Sequence, residues 1–142
     1  MAQTYANEVS GLYDVPATKP SAGVVGGRVR RFRATFSLAS QADGDTIVLA
    51  KIPAGHTFAY GVINGSATFG STATVAIGNA TDAAKYRAAA TFTAAAPTLF
   101  GKITASDDTA ASTEEETVIL TVGAAALPSS GTGEVDLYFS AP

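Results

Sequence analysis

Alternation of apolar and polar residues is the strongest pattern in the chain, and it is clearest in three segments. In residues 31–38 every second position is apolar, and these positions are Phe32, Ala34, Phe36 and Leu38. Residues 117–122 and 134–139 alternate in the same way. Side chains two positions apart lie on the same face of a β-strand, so each segment predicts a strand with one buried face.

Further segments predict strands, and residues that favour turns separate them. The four segments are residues 46–52, 56–63, 73–77 and 99–103. Turns are predicted at 43–44, 53–55 and 64–65, where a glycine follows aspartate, alanine or asparagine. Residues 82–96 predict a helical turn or a lateral loop, because 82–87 is the one run that could form a helix.

The spacing of these segments indicates the fold class. Seven or eight short strands, with glycine, proline and asparagine between them, are typical of an all-β sandwich. A parallel α/β fold needs crossover connections of about ten residues or more, usually helical, and the sequence lacks such helices. We therefore predict an antiparallel β-sandwich, similar to a jelly roll, that forms a single domain over residues 28–142.

Residues 1–27 differ from the rest of the chain and predict an extended N-terminal arm. They contain two prolines and four glycines and show neither strand nor helix periodicity. Apolar residues occur at intervals and include Tyr5, Leu12, Tyr13 and Val15. A disordered tail is normally poorer in aromatic residues, so we expect the arm to lie along a surface, either of its own domain or of a neighbour.

The chain carries few charges, and this changes the expectation for its surface. Charged residues make up 15% of the 142 residues, and the formal net charge is −3, whereas globular proteins average about 25% charged residues. Hydroxyl residues, alanine and glycine take the place of the missing charged residues. Such a surface loses little hydration energy when another subunit covers it, which favours broad contacts. A proteome rich in alanine and threonine is the alternative explanation.

The sequence contains no recognisable catalytic, metal-binding or cofactor-binding motif. Cysteine is absent and His56 is the only histidine, so thiolate and multi-histidine metal sites are excluded. His56 follows a turn, as an ordinary residue at a strand entry does. No nucleophile elbow or phosphate-binding loop is present, and Gly-Thr-Gly at 131–133 predicts a turn. The acidic run 114–116 matches no calcium loop and predicts a solvated face. We therefore predict a protein that is not an enzyme and has no cofactor.

Four of the nine basic residues lie within six positions, at Arg28, Arg30, Arg31 and Arg33. Arginine forms bidentate pairs with carboxylates, so ion pairing within the chain or to a neighbouring subunit is the first interpretation. A solvated strand face is the second, and contact with phosphate is the third. Nucleic acid binding needs a broad basic surface, which the acidic total opposes, and we predict no nucleic acid partner.

Membrane and export signals are missing from the sequence. No run of about 18 apolar residues occurs, so we predict no membrane-spanning helix and no membrane partner. Residues 1–5 lack the basic start and apolar run of a signal peptide. We therefore expect synthesis in the cytoplasm.

Several motifs follow one another in a distinctive order after the arm. Val-Gly-Gly-Arg-Val-Arg at 25–30 precedes a phenylalanine-rich strand, and a strand ending in Ile-Pro-Ala-Gly occupies 45–55. Ala-Thr-Val-Ala-Ile-Gly at 73–78 precedes Asp82 and Lys85-Tyr86, and the last motif occupies 116–123. This succession resembles small head proteins of tailed bacteriophages, of the decoration or cement type. The resemblance covers nearly the whole chain from about residue 24.

This resemblance implies a β-sandwich subunit, often trimeric, that sits on the outside of the capsid and reinforces contacts between capsomers. On that basis we expect a virion structural protein, made in the host cytoplasm, whose partners are the major capsid protein lattice and further copies of itself in a homotrimer. The family fixes no binding residue that can be transferred. The candidate interface residues therefore come from the chain itself and are Tyr5, Leu12, Tyr13, Val15, Arg28, Arg30, Arg31 and Arg33.

Two other classes of function stay open at this point. A fibre or tail-associated sandwich that binds a cell-surface glycan would need an exposed aromatic platform, for which Tyr60, Tyr86 and Tyr138 are the candidates. A small hydrolase would need a positioned acid–base pair, which the sequence does not offer. We therefore predict no small-molecule substrate.

Overall fold

The computed structural model describes residues 4, 10–20, 22, 25–101 and 110–142, and its regular structure is almost entirely β. A single turn of 3₁₀ helix, Gly11–Tyr13, lies in the arm. Eight strands follow it: β1 (Arg28–Ser37), β2 (Thr46–Ile52), β3 (Thr57–Gly65), β4 (Thr74–Gly78), β5 (Arg87–Thr91), β6 (Thr98–Phe100), β7 (Glu116–Gly123) and β8 (Thr132–Ala141). Within these residues no helix has the length and apolar character to cross a membrane. The predicted all-β class is confirmed.

The strands form two four-stranded sheets, and every strand pairing is antiparallel. Sheet A has the order β1-β8-β3-β6, and sheet B has the order β2-β7-β4-β5. Successive strands therefore lie in opposite sheets, except for β4 and β5, which are neighbours in sheet B. This is the arrangement of a jelly roll, an eight-stranded sandwich made of two Greek keys. The prediction of a jelly-roll-like sandwich is confirmed.

The core lies between the two sheets and uses the apolar positions of the predicted alternation. In β7 the side chains of Val118 and Leu120 are fully buried, and Val135 and Leu137 of β8 are fully buried opposite them. Phe32 of β1 is only partly buried, because β1 is an edge strand of sheet A. Burial of a large apolar side chain stabilises a protein by about 1.5–3 kcal/mol, so these positions contribute much of the stability of the sandwich.

The antiparallel order places the chain connections at two ends of the sandwich. One end, called the arm end below, is where the arm enters β1 and where β7 begins. It also holds the β2–β3 turn (residues 53–56) and the β4–β5 loop (residues 79–86). The opposite end holds residues 38–45, 66–73 and 124–131. Segments far apart in sequence therefore lie close together at the arm end.

The region 82–96 contains a strand where the sequence predicted a helical turn or a loop. Residues 82–86 form turns, and β5 then pairs with β4 at the edge of sheet B. Four of its five residues, 88–91, are exposed. An edge strand without a buried face shows no alternation in sequence, and pairing with β4 overrides the helix propensity of its alanines.

Two predicted turns lie within strands. Residues 64–65 end β3, where Gly65 pairs with Gly133 of β8. Gly133 therefore belongs to a strand, and only Gly131, with a φ of 120°, adopts a turn conformation. A Cβ atom at Gly133 would overlap the ring of Phe36 on the paired strand. Gly133 therefore serves packing and not a turn, because the absence of a side chain makes room for an aromatic ring.

Candidate interaction surfaces

Arg31 and Arg33 lie on the outer face of sheet A and pair with carboxylates of β8. The Nε and Nη2 atoms of Arg31 donate hydrogen bonds to Asp136 Oδ1 and Oδ2 at 3.0 and 2.8 Å. These bonds raise the pKa of Arg31 above its usual value, and Asp136 is only 7% exposed. Arg33 Nη2 donates a hydrogen bond to Glu134 Oε2. Both arginines are thus held in a fixed position by their own chain.

Arg28 and Arg30 precede that pair on β1, opposite Ala141 and Phe139 of β8. Both arginines are exposed. The salt bridges among the described residues involve neither of them. Of the four arginines in the predicted cluster, these two are therefore the ones whose charge is available to another molecule.

Three apolar residues in the described part of the arm are largely exposed. Leu12 is 46% exposed, Tyr13 is 62% exposed and Val15 is 98% exposed. The backbone N–H of Thr18 donates to Gly11 O at 2.7 Å and closes residues 11–18 into a loop. We call this segment the N-terminal loop. The arm is therefore not extended throughout, and Tyr5 lies outside the described residues.

The three tyrosines considered for an aromatic platform have different environments. Tyr60 and Tyr138 stack on each other on sheet A, with ring centroids 4.5 Å apart and an interplanar angle of 16°. Tyr60 is 40% exposed. Tyr86 is only 3% exposed and packs against Phe58 in the core. The prediction of Tyr86 as an exposed aromatic was wrong, because the β4–β5 loop directs its ring between the sheets.

A groove of about 840 Å³ opens at the arm end, between the β4–β5 loop and residues 110–117. Its apolar lining comes from Ala80, Ala110 and Ala111 and from the rings of Phe58, Tyr86 and Phe139, each of which is at most 3% exposed. Among the described residues, its charged lining contains four carboxylates and one lysine, which are Asp82, Glu114, Glu115, Glu116 and Lys85. The described lining of the groove therefore carries a net negative charge, and its aromatic rings belong mainly to the core.

Glu116 joins the two walls of this groove. Lys85 Nζ donates to Glu116 Oε2 at 2.5 Å, and the hydroxyl of Tyr86 donates to Glu116 Oε1 at 2.6 Å. Burial raises the pKa of Tyr86 well above its ordinary value, and the hydrogen bond to Glu116 adds to the effect. Glu114 and Glu115 are exposed, as the sequence predicted, but Glu116 is not simply solvated. Its partners lie about thirty residues away in sequence, so no local pattern marked it.

His56 also lines the groove, next to the β2–β3 turn. It is 7% exposed, and its Nδ1 donates to the carbonyl oxygen of Pro53 at 3.0 Å. Its ring lies edge-on to Phe32, with centroids 6.0 Å apart. The Nε2 atom is buried without a hydrogen-bond partner in the described part of the chain. No group of three or more potential metal ligands forms within those same residues. The hydrogen bond to Pro53 and the contact with Phe32 pack His56 against the β2–β3 turn.

Comparison with known proteins gives no match to a protein-family model and none to a curated protein. Solved structures do match. The chain is similar to one in the cyanophage Pam1 capsid asymmetric unit, with a TM-score of 0.68, 19% identity, and coverage of 88% of this chain and 92% of that one.

Two further matches come from other phage capsids. A chain in the acidic stable capsid structure of Helicobacter pylori bacteriophage KHP30 gives a TM-score of 0.60 at 15% identity and covers 80% of this chain and 88% of that one. A chain in the capsid of Ralstonia phage GP4 gives a TM-score of 0.59 at 20% identity and covers 82% of this chain and 84% of that one. At these identities the likeness establishes a shared fold.

Proposed function

We propose that this protein is a virion structural protein that binds the outside of a phage capsid and strengthens the contacts between capsomers. The observation that carries the proposal is the shared fold with chains of three phage capsid structures, which extends over 80–88% of this chain. The low charge of the surface and the exposed apolar residues of the arm support it, because both favour contact with other subunits.

The partners in this proposal are the major capsid protein lattice and further copies of the chain, arranged as a homotrimer. The protein is made in the host cytoplasm and ends on the virion surface. A capsid repeats the same site many times, and a trimer engages three sites at once. Each individual contact can therefore be weak while the assembled layer is held strongly.

Two groups of residues make the proposed contacts. The arm supplies apolar area through Leu12, Tyr13 and Val15, which are exposed in the isolated chain, and the N-terminal segment with Tyr5 extends it. Arg28 and Arg30 supply charge that no described residue neutralises. Arg31 and Arg33 contribute through the rigid ion pairs that they form on sheet A.

The direct test is binding to heads assembled from the major capsid protein of the same phage, measured by co-sedimentation and by occupancy in cryo-EM maps. We expect deletion of residues 2–20 to abolish most of the occupancy. We expect Arg28→Ala with Arg30→Ala to weaken binding most at low salt, where charge pairs are least screened. Arg31→Ala with Arg33→Ala is the matched variant. We expect its loss of head binding to follow its loss of folding stability. Wild-type protein that fails to bind heads would overturn the proposal.

A glycan-binding module is the second candidate, and the stacked pair Tyr60–Tyr138 favours it. The half-exposed ring of Tyr60 offers an apolar face on which a sugar could stack. In a glycan array, Tyr60→Ala should remove any signal, and Val48→Ala, on the exposed part of β2, should keep it. An array on which the wild-type protein binds no glycan rules this candidate out.

A further inference from the structure

We propose that Arg28 and Arg30 of one copy bind Glu114 and Glu115 of a second copy of this chain. The inference deepens the self-association part of the proposed function and rests on it. It names the side chains through which two copies meet, and it gives the two arginines a partner in this chain rather than in the capsid.

The first argument is that these side chains are left over when the fold pairs its other charges. Four ion pairs form among the described residues, and none of them includes Arg28, Arg30 or Glu114. Glu115 takes part only in the 3.7 Å pair with Lys51, in which both side chains are more than 60% exposed. Exposed pairs of this kind contribute little to stability, so Glu115 can exchange its partner.

The second argument is that both groups of charges are exposed and concentrated. Arg28 and Arg30 lie in the first part of β1, where four successive residues are exposed. Side chains two positions apart lie on the same face of a strand, about 7 Å from each other. Glu114 and Glu115 are exposed neighbours just before β7. Each group therefore presents two like charges within the reach of one opposite pair.

The third argument is complementary charge. An arginine can bind a carboxylate through two parallel hydrogen bonds, which adds a defined geometry to the attraction. Each copy offers two guanidinium groups on one surface and two carboxylates on the other, so the contact leaves no charge of either group unpaired. Complementary charges of this kind favour the encounter of two proteins and fix their relative orientation.

The fourth argument is the position of the two groups in the fold. Both lie at the arm end, but β1 is an edge strand of sheet A and β7 is an inner strand of sheet B. The two groups are therefore different surfaces, and a contact between them is heterologous. In the proposed homotrimer each copy turns its basic group to one neighbour and its acidic group to the other, and the ring closes.

Charge exchange in the free, full-length protein tests the inference without any phage heads. Arg28→Glu with Arg30→Glu reverses the basic group, and Glu114→Arg with Glu115→Arg reverses the acidic group. A third variant carries all four substitutions. All four positions are exposed, so the substitutions should leave the fold intact, which circular dichroism checks.

Sedimentation at a series of protein concentrations measures the association of the copies. We expect the wild type to form trimers, and each two-residue variant to associate at least about tenfold more weakly, because like charges then face each other. The four-residue variant restores opposite charges and should recover most of the association. Val48→Glu, on the exposed part of β2, is the control and should associate like the wild type.

Three results would overturn the inference. The first is a wild-type protein that stays monomeric at every concentration. The second is a two-residue variant that associates like the wild type, and the third is a four-residue variant that associates no better than the two-residue variants.

The experiment separates this inference from the proposed function. Recovered association in the four-residue variant, together with a wild-type protein that does not bind heads, would support the contact between copies and reject the capsid role. Binding of the wild type to heads without recovery in the four-residue variant would support the capsid role and reject this contact. In the second case Arg28 and Arg30 contact the capsid rather than a neighbouring copy.

Discussion

At the scale of single residues, the environment of Glu116 shows how the fold assigns different roles to neighbouring side chains. Glu114 and Glu115 remain exposed, while Glu116 binds Lys85 and Tyr86 from the β4–β5 loop. Gly78 ends β4 just before this loop, and a Cβ atom there would lie 2.6 Å from the carbonyl carbon of Ala83. The loop can therefore fold back against β4 and bring its two donors to one carboxylate.

The raised pKa of Tyr86 makes a prediction about alkaline stability. Its ordinary pKa is 10.0, which an unfolded chain would show, and burial followed by the hydrogen bond to Glu116 raises it in the folded protein. The folded state then binds the proton more tightly than the unfolded state. The protonated Tyr86 contributes its full stabilisation below about pH 10, and the free energy of unfolding falls as the pH rises beyond that.

Tyr86→Phe removes the ionisable group and checks this prediction. In urea unfolding at a series of pH values, we expect the wild-type curve to fall more steeply than the variant curve above about pH 10. Near neutral pH the variant should be less stable by about 1–2 kcal/mol, because the hydrogen bond to a carboxylate is lost. Parallel curves across the alkaline range would contradict the assignment.

At the scale of secondary-structure elements, the side chain of Arg87 adds hydrogen bonds to the pairing of β5 with β4 at the edge of sheet B. The guanidinium of Arg87 donates to the carbonyl oxygens of Val75, Ala90 and Thr91, the last two at 3.2 and 3.3 Å. The pairing of β4 with β5 is irregular between Val75 and Ile77. Arg87 therefore satisfies carbonyl groups near a break in the ladder, and its burial lowers its pKa.

Arg87→Ala should loosen β5 while the rest of the sandwich stays intact. Removing the guanidinium leaves carbonyl groups without a donor, which we expect to cost roughly 1–3 kcal/mol in the free energy of unfolding. Hydrogen exchange followed by mass spectrometry should show faster exchange in 87–91 and unchanged protection in β1 and β8.

Lys51→Ala is the control for this prediction. Lys51 and Glu115 form a 3.7 Å ion pair in which both side chains are more than 60% exposed. Exposed pairs contribute less than about 1 kcal/mol, so this variant should stay close to the wild type. An Arg87→Ala protein with normal exchange in β5 would show that the strand does not depend on the guanidinium.

At the scale of the whole molecule, the arm and the sandwich differ in how they are stabilised. The fully buried side chains come from the sandwich, from Ile52 to Phe139. Among the described arm residues 10–20, 22 and 25–27, none is buried. This difference agrees with the predicted division into an arm of residues 1–27 and a domain of residues 28–142, which stays a prediction.

Deletion of residues 2–20 tests that division in the free protein. The deletion removes no buried side chain among the described residues, so we expect the urea midpoint to stay unchanged for the monomeric protein. Urea unfolding followed by circular dichroism at low protein concentration is the measurement. A large fall in the midpoint would show that the arm belongs to the folded domain.

Part of the candidate site could be predicted from the sequence. The apolar residues of the arm and the cluster of arginines were visible, because apolar residues without periodicity and a run of like charges are local features. The sequence left open whether Leu12 and Val15 pack on their own domain. The groove was not visible, since Phe58 of β3, Tyr86 of the β4–β5 loop and Phe139 of β8 converge only in the folded chain. The same holds for the division of the arginines, because the partners of Arg31 and Arg33 lie more than 100 residues away.

The sequence by itself determined the all-β class, because side chains alternate between two faces of a strand and the buried face must be apolar. It determined this for 31–38, 117–122 and 134–139, whose alternation survives in the burial of β1, β7 and β8. Only the tertiary structure decided that β5 is an edge strand and that Gly133 makes room for Phe36. It also decided which charges are paired. Edge strands, close aromatic packing and ion pairs depend on residues that the fold brings together from distant parts of the chain.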